Sequence, residues 1–370
     1  MRALHLYAGP VARQHIERHG LDASDVGVIP AAAGGPKGLI LGPLDRFIFG
    51  HWLPTSTQSV DLVGASIGAW RIATACMDKP VAGFEMLENG YIHGDMKAPP
   101  GRKLPLPSQV SATFAANLRT MFDGHVPALL SHPRYKLHVV TSRGRHVLAR
   151  EGRLRTAAGY LGAALTNAAS RRAMGAWIER VVFSGPGADL KTPAPLPFDT
   201  RDYRTRHALL DPDNFFSVLQ ASGSIPFMLK AVHDIPGGPR GAYWDGGITD
   251  YHLHLAYARA LPTTGDSKEK ARLVLYPHFQ KEVVPGWLDK PWKRRHSASS
   301  SLDGMLLLAP NPEWIASLPN GKLPDRNDFQ TLTHSERVRA WTTAVSAAKQ
   351  LAHEFSEWLQ RPDPGKLQPL

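Results

Sequence analysis

Within positions 25–77 the chain twice runs from an apolar segment through a glycine-rich turn into a helix-like stretch, and this repeat constrains the fold most. Asp25-Val-Gly-Val-Ile-Pro30 reads as a buried strand, followed by the loop Ala33-Gly34-Gly35-Pro36-Lys37-Gly38 and a helical pattern over 39–49. Ser59-Val-Asp-Leu-Val63 reads as a second strand and feeds a helical pattern over 67–77. Strands alternating with helices build βαβ units, and these build a parallel sheet covered by helices. The expected fold class is α/β: a three-layer sandwich with a mostly parallel central sheet and helices on both faces.

Beyond that repeat the pattern is looser. A helix is expected over 108–123, behind the prolines at 99, 100, 105 and 107. Strands are expected over 136–141 and 180–183, flanking an Ala-rich helical stretch at 156–178 that carries Tyr160, Leu161, Leu165, Met174 and Trp177. Such an apolar stripe suits the cover of a lipid-binding cleft or ordinary core packing. A short helix at 214–220 and a strand closing on Tyr243-Trp244 follow. Residues 280–330, rich in Pro, Lys, Arg and Ser, read as an irregular basic excursion, and 335–360 as an amphipathic helix. There is no internal repeat and no heptad pattern. The expected layout is a catalytic domain over 1–260, with core motifs at 25–255 and a helical insertion at about 85–178, and a C-terminal extension over 261–370 packed on the same domain.

Composition narrows the function classes. Hydrophobic residues are 43% and charged residues 20% of 370, ordinary for a globular protein. No apolar run reaches the roughly 18 residues of a membrane span, and the N-terminal stretch makes a poor secretory signal. The expected location is cytoplasmic or peripheral to a membrane. Cys76 is the single cysteine, so an intrachain disulfide and a Cys-based zinc site are excluded. The net charge of +11 favours anionic surfaces. No nucleic-acid-binding module accompanies it, which leaves an anionic membrane surface or simple solubility. Trp287-Leu-Asp-Lys-Pro-Trp-Lys-Arg-Arg-His296 suits a membrane-touching loop or a solvated one.

Three motifs carry chemistry. Gly64-Ala-Ser66-Ile-Gly68 is a G-x-S-x-G at a strand-to-helix junction. A nucleophilic serine must stand clear of the backbone on a sharp turn, and small flanking residues let strand and helix approach each other. The glycine loop at 33–38 exposes backbone N–H groups that can hold an oxyanion; Pro36 has none, so Gly34 and Gly35 are the expected donors. A phosphate loop needs Gly-Lys-[Ser/Thr] and a dinucleotide fingerprint needs G-x-G-x-x-G; Lys37, Gly38 and Ala33 satisfy neither, so no nucleotide cofactor is expected. Tyr243-Trp-Asp245-Gly246-Gly247 places a carboxylate at the end of an apolar strand, where the chain turns sharply.

Together these motifs resemble the patatin-like phospholipase family, which carries a glycine-rich oxyanion loop, a G-x-S-x-G elbow and a D-G-[AG] motif. Gln220-Ala-Ser-Gly-Ser-Ile-Pro-Phe-Met-Leu229 is similar to the family's segment upstream of the aspartate. The resemblance spans roughly 25–255. It implies a patatin-like fold and a Ser66–Asp245 dyad acting on lipid esters through an acyl-enzyme, without metal or cofactor. The loop departs from the family pattern: Ala32 and Ala33 replace its first two positions and Lys37 its arginine. Lys37, Gly38, Gly64, Gly68, Gly246 and Gly247 support the motifs.

Other readings remain open at this stage. An α/β-hydrolase triad would add a histidine, with His207, His252, His254 and His278 as candidates. His252-Leu-His254 has the spacing of a metal pair but lacks a cluster to complete it. A non-catalytic lipid-binding protein on a hydrolase fold would fit Ala32 and Ala33.

Overall fold

The computed structural model describes residues 1–95, 99, 105–257 and 272–370. Its strands are β1 (Leu4–Ala8), β2 (Val26–Ala31), β3 (Val60–Ala65), β4 (Tyr135–Gly144), β5 (Ile178–Ser184), β6 (Thr205–Leu209), β7 (Val232–His233), β8 (Ala242–Trp244), β9 (Leu273–Pro277), β10 (Met305–Pro310) and β11 (Leu367–Pro369). They form one sheet in the order β11-β1-β10-β9-β2-β3-β4-β5-β6, with β8 paired to β4 and β7 to β8. The run β10-β9-β2-β3-β4 is parallel throughout. Antiparallel pairs occur at β1–β10, β4–β5, β4–β8 and β7–β8. Every residue of β2, β5, β9 and β10 is buried. Strands read as continuous apolar runs, rather than alternating ones, when protein covers both faces of the sheet. The fold is therefore α/β, with a mostly parallel central sheet between covering layers.

Two points of the expected layout need correction. The interval 85–178 is not a helical insertion, because it contains β4, which pairs with β3 on one edge and β5 on the other. The last third is not an appended extension, because β9, β10 and β11 belong to the same sheet, with β9 and β10 separating β1 from β2. Met305-Leu-Leu-Leu-Ala-Pro310 is a six-residue apolar run inside a basic stretch, so averaged composition conceals it. The division at 260/261 itself lies outside the described residues. The expected helix over 335–360 is two helices, His334–Ala347 and Lys349–Gln360, the first opened by a capping box between Thr333 and Glu336. Among the described residues no helix is long and apolar enough to cross a membrane.

One detail of register positions the site. β3 pairs with Tyr135–Val140 of β4 and ends at Ala65. β5 occupies the opposite edge of β4 as far as Gly144, so β8, bonded at Ser142 and Arg143, takes up the edge that β3 has vacated. β8 runs antiparallel to β4. The C-terminal ends of β3 and β8 therefore meet head to head, and the residues just past them are Ser66 and Asp245.

Candidate active site

Ser66 sits between β3 and the helix Ile67–Ala75 with φ 57° and ψ −129°. A serine in this region is strained, and the strain is held by tight packing on both sides. A Cβ on Gly68 would lie 1.9 Å from the Ala31 carbonyl oxygen, and one on Gly64 would lie 2.7 Å from the backbone of Ala69. The turn is thus sharp because two positions lack side chains. Gly68→Ala must push the helix away from β2, and such overpacking costs about 1–3 kcal/mol. Gly90→Ala, in the helix Pro80–His93 with nothing within 4 Å of the added methyl, is the control. It is expected to stabilise by about 0.5–1 kcal/mol. Urea denaturation of the two variants checks the contrast, and equal midpoints would refute it.

Ser66 Oγ donates a hydrogen bond of 2.6 Å to Asp245 Oδ2, across 179 positions of chain. The second carboxylate oxygen accepts from Gly247 N–H at 2.7 Å. The backbones are pinned as well: Ser66 N–H donates to Ser222 Oγ (2.9 Å), which donates to Val140 O, while Asp245 N–H donates to Ser224 O. Glycines again permit the approach, since a Cβ on Gly246 would lie 2.1 Å from Val140 O and one on Gly247 2.7 Å from Ala33 Cβ. Both side chains are buried, Ser66 at 4% and Asp245 at 6% exposure. Burial raises the Asp245 pKa above the ordinary carboxyl value; the Ser66 hydroxyl, Arg326, the Gly247 amide and Lys290 pull it partly back. A carboxylate shifted upward is a stronger base, which is what proton abstraction from a hydroxyl requires.

The glycine loop leaves β2 and passes beside this pair. Ala33 N–H is spent on Tyr251 O, whereas among the described residues the amides of Gly34 and Gly35 donate to no protein acceptor. Gly35, at φ 58°, begins a 3₁₀ segment (Gly35–Leu41) and shares a cavity wall with Ser66. A Cβ on Gly38 would stand 3.6 Å from Ile67, at the start of the helix that follows Ser66. The two βα units are locked together by a buried bidentate pair, Arg71 to Asp45, at 2.7 and 2.8 Å. The cavity in front of Ser66 has a volume of about 400 Å³, and Trp70, Phe114, Met121, Ile225 and Leu229 give it apolar walls.

Three cations gather at this site. Arg326 Nε is 3.1 Å from where a Gly35 Cβ would stand. The Lys290 ammonium packs 4.0 Å over the Tyr251 ring, and its pKa is pulled down to about 8 by burial of the charged end, then by Lys37 and Arg326. Lys37, 5.6 Å from the Phe279 ring centroid, is lowered mainly by burial. The motif pattern singles out Lys37 but gives no sign of Lys290 or Arg326, because both lie in the basic stretch beyond it.

The four candidate histidines lie elsewhere; among the described residues none bonds to Ser66 or Asp245. His252 and His254 bond the carbonyls of Glu282 and Val283, and His278 bonds that of Gln280. Burial pulls the His278 pKa down to about 3 and that of His207 to about 4. His207 and His138 both bond Ser184 Oγ, and His138 also reaches Asp61 at 3.2 Å. This Ser–His–Asp chain ties β3, β4, β5 and β6 across the sheet. Its hydroxyl belongs to a fully buried serine, which suits a structural tie. A second support unread in the sequence is Arg180. Fully buried, it bonds both oxygens of Asp250 (2.6 and 2.7 Å) and so anchors the turn that follows Asp245 to β5.

No family model matches the chain, and no curated protein matches it.

Proposed function

We propose that the chain is a serine acyl hydrolase of the patatin-like type, cleaving carboxylic ester bonds of lipids without a cofactor. The observation that carries this reading is the 2.6 Å bond from Ser66 Oγ to a buried carboxylate at the wall of an apolar cavity. Asp245 takes the hydroxyl proton as Oγ attacks the ester carbonyl carbon. The amides of Gly34 and Gly35 receive the negative charge that develops on the carbonyl oxygen. The C–O bond to the alcohol breaks, and the proton on Asp245 leaves with the alcohol. A water molecule, deprotonated by the same carboxylate, then cleaves the acyl-enzyme to the free acid. The apolar cavity suits an acyl chain, and Lys37, Lys290 and Arg326 suit an anionic headgroup beside it.

A fluorophosphonate probe tests the reading directly. Folded protein is expected to be labelled at Ser66 and nowhere else, with labelling abolished by heat denaturation. A panel of anionic phospholipids, neutral glycerides and short p-nitrophenyl esters then fixes the substrate class. Absence of label on Ser66 would leave a lipid-binding protein that has lost its chemistry.

A further inference from the structure

The helix Arg153–Ala169 has one buried face and, opposite it, an exposed apolar one, where a helix packed on a core usually turns a polar face outward. Thr156, Tyr160, Ala163 and Asn167, spaced i, i+4, i+7 and i+11, are buried, and Tyr160 packs edge-on to Trp244. Leu154, Ala158, Leu161 and Leu165 repeat that spacing on the outer side. There the three leucines are 85%, 62% and 66% exposed. Single exposed leucines are ordinary, but three on one stripe form a patch that marks an interaction surface.

The opposite, buried face of the same helix reaches the mouth of the Ser66 cavity. Tyr160 contacts Phe227 with ring centroids 6.1 Å apart. Phe227 and Met228 line the cavity and are themselves 58% and 45% exposed. Phe227 holds φ at 67°, a conformation that costs a bulky residue energy. The segment that carries the patch is basic. From Gly152 to Ile178 there is no Asp or Glu, while Arg153, Arg155 and Arg172 are exposed at the ends of the helix.

We propose that this stripe docks the protein on an anionic lipid bilayer, holding at the membrane the helix whose inner face backs the cavity mouth. The occupant follows from the composition. Leucines bordered by arginines, with no acidic residue between positions 152 and 178, match the requirements of a helix lying in the plane of a lipid–water interface. There the leucines enter the acyl boundary and the guanidinium groups meet lipid phosphates. The purpose of docking rests on the acyl-hydrolase reading; the binding itself does not.

The test is flotation with vesicles of phosphatidylcholine and phosphatidylglycerol, against phosphatidylcholine alone, over a range of salt. The protein is expected to float with the anionic vesicles and to be released by salt. Leu161→Glu/Leu165→Glu changes only exposed side chains outside the cavity. It is expected to weaken vesicle binding at least about tenfold, while hydrolysis of a soluble p-nitrophenyl ester and the thermal melt stay unchanged. Equal flotation of the variant, or no flotation of the parent protein, overturns the proposal. So does a parent dimer that the substitutions convert to a monomer in light scattering, because the stripe would then join two copies. Vesicle binding as expected, without hydrolysis of any ester, upholds the docking face and removes the hydrolase reading instead.

Discussion

Ser66→Ala is expected to lower turnover of a lipid ester by on the order of 10⁵-fold while leaving affinity for the ester nearly unchanged. In the proposed mechanism the substitution removes the only atom that forms a covalent bond to substrate. The residual rate comes from the Gly34 and Gly35 amides and from binding in the cavity. Alanine tolerates the backbone angles of position 66 no worse than serine does, and Asp245 keeps its bond from Gly247 N–H at 2.7 Å. The loss therefore falls on kcat. Steady-state hydrolysis of a p-nitrophenyl ester, paired with the Kd of a non-hydrolysable ether lipid, separates the two quantities. Serine and carboxylate act as one unit, so Ser66→Ala/Asp245→Asn should be no slower than Ser66→Ala alone. A Ser66→Ala protein within tenfold of the parent rate would remove Ser66 from the chemistry.

The parts of this site that are legible in the sequence are those whose demands are local. An elbow needs small residues two before and two after the serine, because a Cβ on Gly64 or Gly68 would lie 2.7 or 1.9 Å from backbone. The Asp245 turn needs Gly246 and Gly247 because Val140 and Ala33 stand where their side chains would be. Each requirement is written in adjacent letters. The parallel β2–β3–β4 core is legible on the same ground, since each strand there leads directly into its own turn.

What joins these parts is not local. Ser66 meets Asp245 because β3 and β8 divide one edge of β4 between them, and β8 is a three-residue strand with no periodicity to read. Arg326 and Lys290 reach the site from the last third of the chain, where β9 and β10 enter the middle of the sheet. A basic, proline-rich stretch conceals β10, because composition averaged over 280–330 outweighs its six apolar residues, while β9 is a five-residue run just ahead of that stretch. The histidines show the converse problem. Their order along the chain permits a triad, but Nδ1 bonds to the carbonyls of Glu282, Val283 and Gln280 hold the rings of His252, His254 and His278, and none of them bonds Ser66 or Asp245 among the described residues.

Asp245→Asn is expected to slow acylation by about 10²- to 10⁴-fold, the usual range for loss of a positioned general base, and to make the protein more stable at neutral pH. Both effects follow from the same burial. The Asp245 pKa is raised in the fold, so the native protein holds this proton more tightly than the unfolded chain does. Between the ordinary carboxyl value of 3.8 and the raised one, stability falls as pH increases; above that window the fold bears the full cost of a buried charge. Asparagine keeps an oxygen for the Gly247 amide and removes the charge, so the gain in Tm should vanish below pH 3.8, grow as pH rises, and be complete above the raised value. In the parent protein the acid limb of kcat/KM must have its midpoint above 3.8, because only the carboxylate form accepts the Ser66 proton. The amide instead offers N–H to Ser66 Oγ and cannot take a proton from it, so the variant loses that limb together with its rate. Activity bought at the expense of stability is a common feature of catalytic sites. A variant within tenfold of the parent rate would exclude Asp245 as the base. The same holds if substituting His207, His252, His254 or His278 abolishes acylation while Asp245→Asn does not.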